Sequence, residues 1–297
     1  MTAFKLALAQ YPIDQVASLD AWRGKIVQWV EEAAEAGAKL LIFPEYAAME
    51  LAAADPASMG DLPESLRFVA GLIDEIDSYH ASLAASYGVH ILAGSLPCPL
   101  ADGRVVNRAR LFAPNGKVGI QDKLVMTRFE REKWDIAAGG PVRVFDTVLG
   151  RIGISICYDV EFPLIARAQA EAGAMIILTP SCTDSLQGYW RVRIGAQARA
   201  LENQCFVAQA PTVGMAPWSP VLDENHGAAG LFGPPDGDAP DDGVLALGEL
   251  GNGQWVYADI DPARVQRWRN DGTVRPYLHW PESGPTTPLE CEVVDLL

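Results

Sequence analysis

The chain has 297 residues, 49% hydrophobic and 21% charged, enough apolar material for a sizeable core in one large domain or two small ones. Acidic residues outnumber basic ones 38 to 23, a net charge of −15, and the basic residues are scattered, which argues against nucleic acid or an anionic membrane surface as a partner. No apolar run approaches the roughly 18 to 20 residues of a membrane span.

In chain order, the pattern starts with a strand at 4–10, and no signal-peptide core or cleavage site precedes it, so a cytoplasmic protein is expected. A helical pattern at 18–36, a buried-looking strand at 38–44, a long helix at 64–87 and a strand at 89–95 follow. Segments 105–112 and 117–120 flank Pro114-Asn-Gly116, a hairpin signal, so the sheets are mixed. Strands at 152–157, 174–179 and 205–211 then alternate with helices at 162–172 and 187–203. Strand-helix alternation predicts a layered α/β fold, and its recurrence in the second half predicts an internal pseudo-duplication. The Gly-, Pro- and Asp-rich stretch 214–243 reads as a surface loop, before a strand at 255–260 and a helix at 262–270. One domain over 1–297 is expected, with 270–297 as a C-terminal extension. The tail after Pro276 has little pattern and reads either as an arm against a partner subunit or as a loosely held terminus. Trp268, Tyr277, Leu278 and Trp280 make the chain end apolar enough to seek burial on a partner.

Five cysteines, at 98, 157, 182, 205 and 291, are widely spaced without a Cys-x-x-Cys pair, which argues against a disulfide framework and a zinc site. Cys157 differs from the rest. It ends the apolar run Arg151-Ile-Gly-Ile-Ser-Ile156 and precedes a turn, a placement suited to a nucleophile. Glu45 ends a strand in the same way, and Lys123 opens the segment leading to Phe129-Glu130. Taken singly, such a carboxylate is usually solvated, such a lysine is usually on the surface, and a cysteine in an apolar run is usually core. Together they supply what thiol attack on an acyl carbon needs: a proton acceptor, a nucleophile and a cation for the oxyanion, with the Tyr158 N–H as a second oxyanion donor. Of the four histidines, His80 lies in a helical pattern and His90 in a strand pattern, leaving His226 and His279 as partners for a Cys-His dyad.

Phe43-Pro-Glu45-Tyr46, Asp122-Lys123-Leu124 and Ile156-Cys157-Tyr158-Asp159 resemble the three signatures of the nitrilase, or carbon-nitrogen hydrolase, superfamily. The agreement extends to Thr179-Pro-Ser181 and Arg199-Ala-Leu-Glu-Asn203. The resemblance implies a four-layer α-β-β-α sandwich, a triad of Glu45, Lys123 and Cys157, no metal or organic cofactor, and a homodimer or higher homo-oligomer. It also implies a second glutamate after the lysine. Glu130, seven residues on, is preferred to Glu132, which then reads as a surface charge. The chain departs from many relatives at Phe162-Pro163-Leu164, where they carry a glutamate in place of the leucine. Tyr158-Asp159 resembles the amidase and carbamoylase branches, and the Trp-Glu pattern of nitrilases is absent. A small carboxamide or N-carbamoyl compound is therefore the expected substrate. The same intermediate passed to an amine would make an acyltransferase, and an idle member would serve as a binding subunit. Tyr46, Trp134, Tyr158, Cys182, Thr183 and Trp190 fall on or near predicted loops and are candidates for lining the pocket.

Overall fold

The computed structural model describes residues 2–284. Its first half runs β1 (Phe4–Pro12), α1 (Leu19–Glu35), β2 (Ala38–Ile42), α2 (Leu62–Ala70), α3 (Ile73–Tyr87), β3 (His90–Pro99), the hairpin β4 (Val105–Phe112) and β5 (Val118–Asp122), and a short α4 (Arg128–Glu132). The second half continues with β6 (Ile136–Ala137), β7 (Val144–Thr147), β8 (Gly150–Ile154), α5 (Pro163–Glu171), β9 (Ile176–Ser181), α6 (Leu186–Asn203) and β10 (Phe206–Met215). It ends with β11 (Glu224–Asn225), β12 (Gly230–Phe232), β13 (Val244–Leu247), β14 (Gln254–Ile260), α7 (Pro262–Asp271) and α8 (Pro276–His279).

The strands form two mixed sheets. In one, β1 pairs in parallel with β2 and antiparallel with β14, and β3, β4 and β5 extend it outward. In the other, β10 pairs in parallel with β9 and antiparallel with β12, with β8 and β7 beyond β9. A short parallel contact, Tyr11 with Thr212 and Pro12 with Val213, joins them. The strand-helix order recurs, stepping outward from this seam along β1, β2 and β3 and inward along β8, β9 and β10.

Alternation along the strands creates the layers. Leu6 and Leu8 of β1 belong to the same buried cluster as Ile152, Ile154, Ile176 and Leu178, whereas Ala7, Ala9 and Tyr11 pack in a second cluster with Trp22, Ile26 and Val30 of α1. That face of α1 repeats every three to four residues, and the helix starts where the Ser18 side chain accepts the Ala21 N–H. On the far side, Gly153 lies against Gln169 of α5, leaving no room there for a Cβ. The architecture is thus the expected α-β-β-α sandwich.

Several boundaries differ from those predicted. The helix expected at 64–87 is two helices, because Leu72 leaves the helical conformation (φ −102°, ψ 3°). The strand expected at 152–157 stops at Ile154, and Cys157 begins a tight turn over Cys157–Glu161. The loop expected at 214–243 contains β11 and β12. These strands, like β7 and β13, are too short for alternation to show in the sequence. Trp268 does not need a partner subunit for burial. It is 2% exposed, packs on Phe206 with ring centroids 4.9 Å apart, and its indole N–H donates to Asp238. The Arg269 guanidinium sits 3.9 Å from the Tyr277 ring, while Leu278 remains exposed. The rest of the tail, 285–297 with Cys291, lies outside the described residues.

Candidate active site

Three chain crossings at the sheet ends bring the site together. β2 ends at Ile42, and Pro44, which has no N–H for a ladder, turns the chain so that Glu45 bridges to Ser95 of β3. This close approach requires Gly94: its φ is +74°, and a Cβ there would overlap the Pro44 carbonyl. Lys123 follows β5, its N–H donating to the Asn107 carbonyl at 2.8 Å and its carbonyl accepting from Gly139 at 2.9 Å. Cys157 follows β8 at φ +47°, and Tyr46, beside Glu45, has φ +60°. Such conformations cost non-glycine residues about 1–3 kcal/mol and are held by surrounding structure. Both occur where a side chain must leave the sheet towards the same point.

That point is a buried ionic cluster. The Lys123 ammonium donates to Glu45 Oε1 at 2.8 Å and to Glu130 Oε1 and Oε2 at 2.8 and 2.6 Å. Lys123 and Glu45 are each 1% exposed, and Glu130 is 3% exposed. Glu45 Oε2 accepts the Cys182 backbone N–H at 3.0 Å, and the Cys157 thiol, also buried, lies 3.7 Å from the Cys182 carbonyl. Burial pushes the pKa of Glu45 up, helped by the Glu130 charge and opposed by Lys123. Burial acts the same way on Glu130, but Lys123 and hydrogen bonds from Tyr46 and Thr127 outweigh it and hold this carboxyl below its ordinary value. Burial, followed by the Glu45 charge, drives the Cys157 thiol well above the ordinary range, with Lys123 pulling the other way. The resting arrangement is therefore a neutral thiol beside two unequal carboxylates, one firmly ionised and the other more ready to take a proton.

Of the two candidate glutamates, Glu130 belongs to the cluster. Its side chain also accepts the Tyr46 hydroxyl at 2.6 Å and the Thr127 N–H at 2.9 Å. Glu132 lies on the surface, paired with Arg128 at 2.8 Å. A cue to this choice lay in the sequence: Thr127-x-x-Glu130 is a capping box, and both of its reciprocal bonds form at the start of α4.

Asn107 and Asp159 were not anticipated. Asn107, fully buried on β4, donates to Glu45 Oε1 at 2.8 Å and Glu130 Oε1 at 3.1 Å, tying the two carboxylates together. Asp159 accepts the Val125 N–H at 2.8 Å and the Leu124 N–H at 3.2 Å, clamping the Cys157 turn to the segment after Lys123. Asn107 carries no local signal, and Asp159, though part of the motif around Cys157, acts on residues remote in sequence.

A cavity of about 690 Å³ opens onto the cluster, and Tyr46, Trp134, Tyr158, Cys182 and Thr183 all line it. Trp134 packs on Tyr46 with ring centroids 4.9 Å apart, and the Thr183 hydroxyl donates to the His226 carbonyl at 2.7 Å. Burial pushes the Cys182 thiol up to about 12. Trp190 does not line this cavity; it is 47% exposed, beside Arg193. No histidine ring among the described residues contacts Cys157. His80 is buried among Trp22, Phe43 and Phe112, with burial lowering its pKa to about 4, and His279 sits on α8. Among the described residues there is also no group of His, Cys, Asp and Glu side chains arranged to hold a metal.

A sequence model of the carbon-nitrogen hydrolase family matches residues 5–270. The probable hydrolase YhcX of Bacillus subtilis is 35% identical over 271 residues, 91% of this chain and 52% of that protein, so the chain spans about half the length of this relative. The omega-amidase NIT2-A of Xenopus laevis is 28% identical over 236 residues, 75% of this chain and 77% of that one. A mutant amidase from Nesterenkonia sp. AN1, solved after Michael addition of acrylamide at its active-site cysteine, aligns with a TM-score of 0.67 at 25% identity, covering 90% of this chain and 97% of that one. A family match over most of its length, a relative above 30% identity and a shared fold place this chain in the carbon-nitrogen hydrolase family of the nitrilase superfamily.

Proposed function

We propose that the protein is an amidase that hydrolyses a small carboxamide, or a related N-carbamoyl compound, through a thioester on Cys157. The observation carrying this reading is the Lys123 ammonium held between Glu45 and Glu130 in the cavity that also contains the Cys157 thiol. The Nesterenkonia amidase, with its reactive cysteine, is consistent with it. Glu45, with its raised proton affinity, takes the S–H proton as sulfur attacks the carbonyl carbon. Lys123 and the Tyr158 N–H, which sits at the start of a tight turn where backbone donors lack internal acceptors, stabilise the oxyanion. Glu45 returns the proton to the leaving nitrogen, the C–N bond breaks and ammonia or an amine departs. A water then gives a proton to Glu45 and attacks the thioester, and the acid leaves as the thiol is restored. Glu130, ionised throughout, orients Lys123. We assign the protein to the cytoplasm, where its free thiols would stay reduced, and retain a two-fold assembly through the α8 region as part of this reading.

Matched amide and nitrile substrates assayed side by side test the reaction class. An amide needs its nitrogen protonated at the tetrahedral stage, which Glu45 supplies at once, so kcat/KM for the amide is expected to exceed that for the nitrile by about 100-fold or more, roughly 2.7 kcal/mol. Equal rates, or a nitrile preference, would contradict it.

Glu130→Gln is expected to lower kcat by roughly 100-fold and Glu132→Gln to change it little. The pH profile adds a second readout. With Glu45 required as a base, kcat/KM falls on acidification through a limb above the ordinary carboxylate range. Removing the Glu130 charge takes away a repulsion and leaves Lys123 wholly to Glu45, so the limb moves to lower pH in Glu130→Gln. An unmoved limb would assign it to another group.

A further inference from the structure

The mouth of the cavity is acidic. Beyond the buried cluster it is lined, among the described residues, by Glu161, Asp184, Asp223 and Glu224 against Arg128 and Arg191. The two cations are also poorly placed to receive an anion. Arg128 is 87% exposed at its side chain and is occupied by Glu132, which accepts its Nε–H at 2.8 and 2.9 Å. Arg191 is 61% exposed and is ion-paired with Glu161 at 3.7 Å. Glu161 is better sheltered, its side chain only 23% exposed, and it closes the same turn that Cys157 opens. Four residues of such a turn advance the chain by about 8 Å. A single long ion pair leaves a carboxylate further acceptor positions, so Glu161 can meet a second cation a short spacer away from the Cys157 sulfur. The low-dielectric walls of a cleft strengthen the field of such a charge, and the protein's net charge of −15 reinforces its sign.

We propose that the cavity selects carboxamides that carry a positive charge at the end remote from the reacting carbon, such as an ω-ammonium group, and that Glu161 is the carboxylate that meets it. This rests on the amidase reading above and adds the substrate class to it. Glu161 acts here as a specificity residue, outside the bond-breaking steps.

Three amides of equal length, 5-aminopentanamide, pentanamide and glutaramate, provide the test with the intact enzyme. The expected order of kcat/KM is cation above neutral by about 10-fold or more and neutral above anion, with the cation's advantage residing in KM and shrinking as salt is raised. In Glu161→Gln the cation-to-neutral ratio is expected to fall several-fold, and in Glu161→Arg the order of cation and anion reverses. Turnover of pentanamide with 5-aminopentanamide no better, or with glutaramate preferred, would overturn this inference while the amidase reading stood. A cation preference unchanged in both Glu161 variants would overturn the assignment to Glu161. Failure of all three amides, with nitriles turned over instead, would overturn the amidase reading and this inference with it.

Discussion

Replacing Cys157 by alanine is expected to abolish turnover, by at least about 10⁴-fold, while the protein stays folded. Under the proposed mechanism the rate loss follows from removing the atom that would carry the acyl group: without a covalent route only binding and oxyanion stabilisation remain. The stability cost is small because the thiol's hydrogen bond to the Cys182 carbonyl is a long one, 3.7 Å, and alanine keeps the backbone of the turn. The strain at φ +47° is unchanged, since alanine meets the same steric limits there as cysteine. Cys182→Ala is the control. The contributions of Cys182 to the cluster are a main-chain N–H and carbonyl, which alanine also has, and its thiol is held in the protonated form. It should therefore keep activity within about 10-fold of wild type. Single-turnover acylation followed by intact-protein mass measurement distinguishes the two, with an adduct expected in Cys182→Ala and none in Cys157→Ala. A folded Cys157→Ala protein retaining more than a few per cent of the wild-type rate would remove the thioester from the mechanism.

Lys123→Met should be as inactive and, unlike Cys157→Ala, markedly less stable. Lys123 is the cation that both buried carboxylates contact, and taking one partner from a buried ion pair typically costs about 3–5 kcal/mol. Methionine fills much of the volume, so the loss reports charge more than a cavity. Its pH dependence has a definite sign. Lys123 lowers the proton affinity of both Glu45 and Glu130, so without it both folded-state values rise. A carboxyl whose folded value lies above its unfolded one carries no penalty below the unfolded value and an increasing one as pH rises through it. The unfolded chains titrate alike, so denaturation by urea should show the gap between Lys123→Met and wild type widening as pH rises from below the ordinary carboxyl range, where wild-type Glu130 ionises, into the range above it. A gap independent of pH would mean that the lysine stabilises the site by packing alone.

The chain by itself pointed to the candidate reactive residues and to the order of strands and helices, because both are local signals. Glu45, Lys123 and Cys157 each stand at an element end with recognisable neighbours, and long periodic stretches such as α1 and α6 show their buried faces directly. The Thr127 capping box even contained the choice between Glu130 and Glu132. Tertiary structure alone decided the rest. Asn107 is one polar residue on a strand until the fold sets it between Glu45 and Glu130, which are 62 and 23 positions away in the chain. Asp159 seemed part of the nucleophile motif, yet its carboxylate is spent on backbone N–H groups 34 and 35 residues away. The unequal proton affinities of the two glutamates have the same origin. One carboxyl sits at a β-bridge and the other in the first turn of α4, and only their burial around one shared lysine drives one up and the other down. The charge of the cavity mouth is likewise assembled from four separate segments, the start of α4, the Cys157 turn, the start of α6 and the loop before β11. Sequence reports what a segment is made of, but the field at a site depends on distances across the fold, which segment-by-segment reading does not contain.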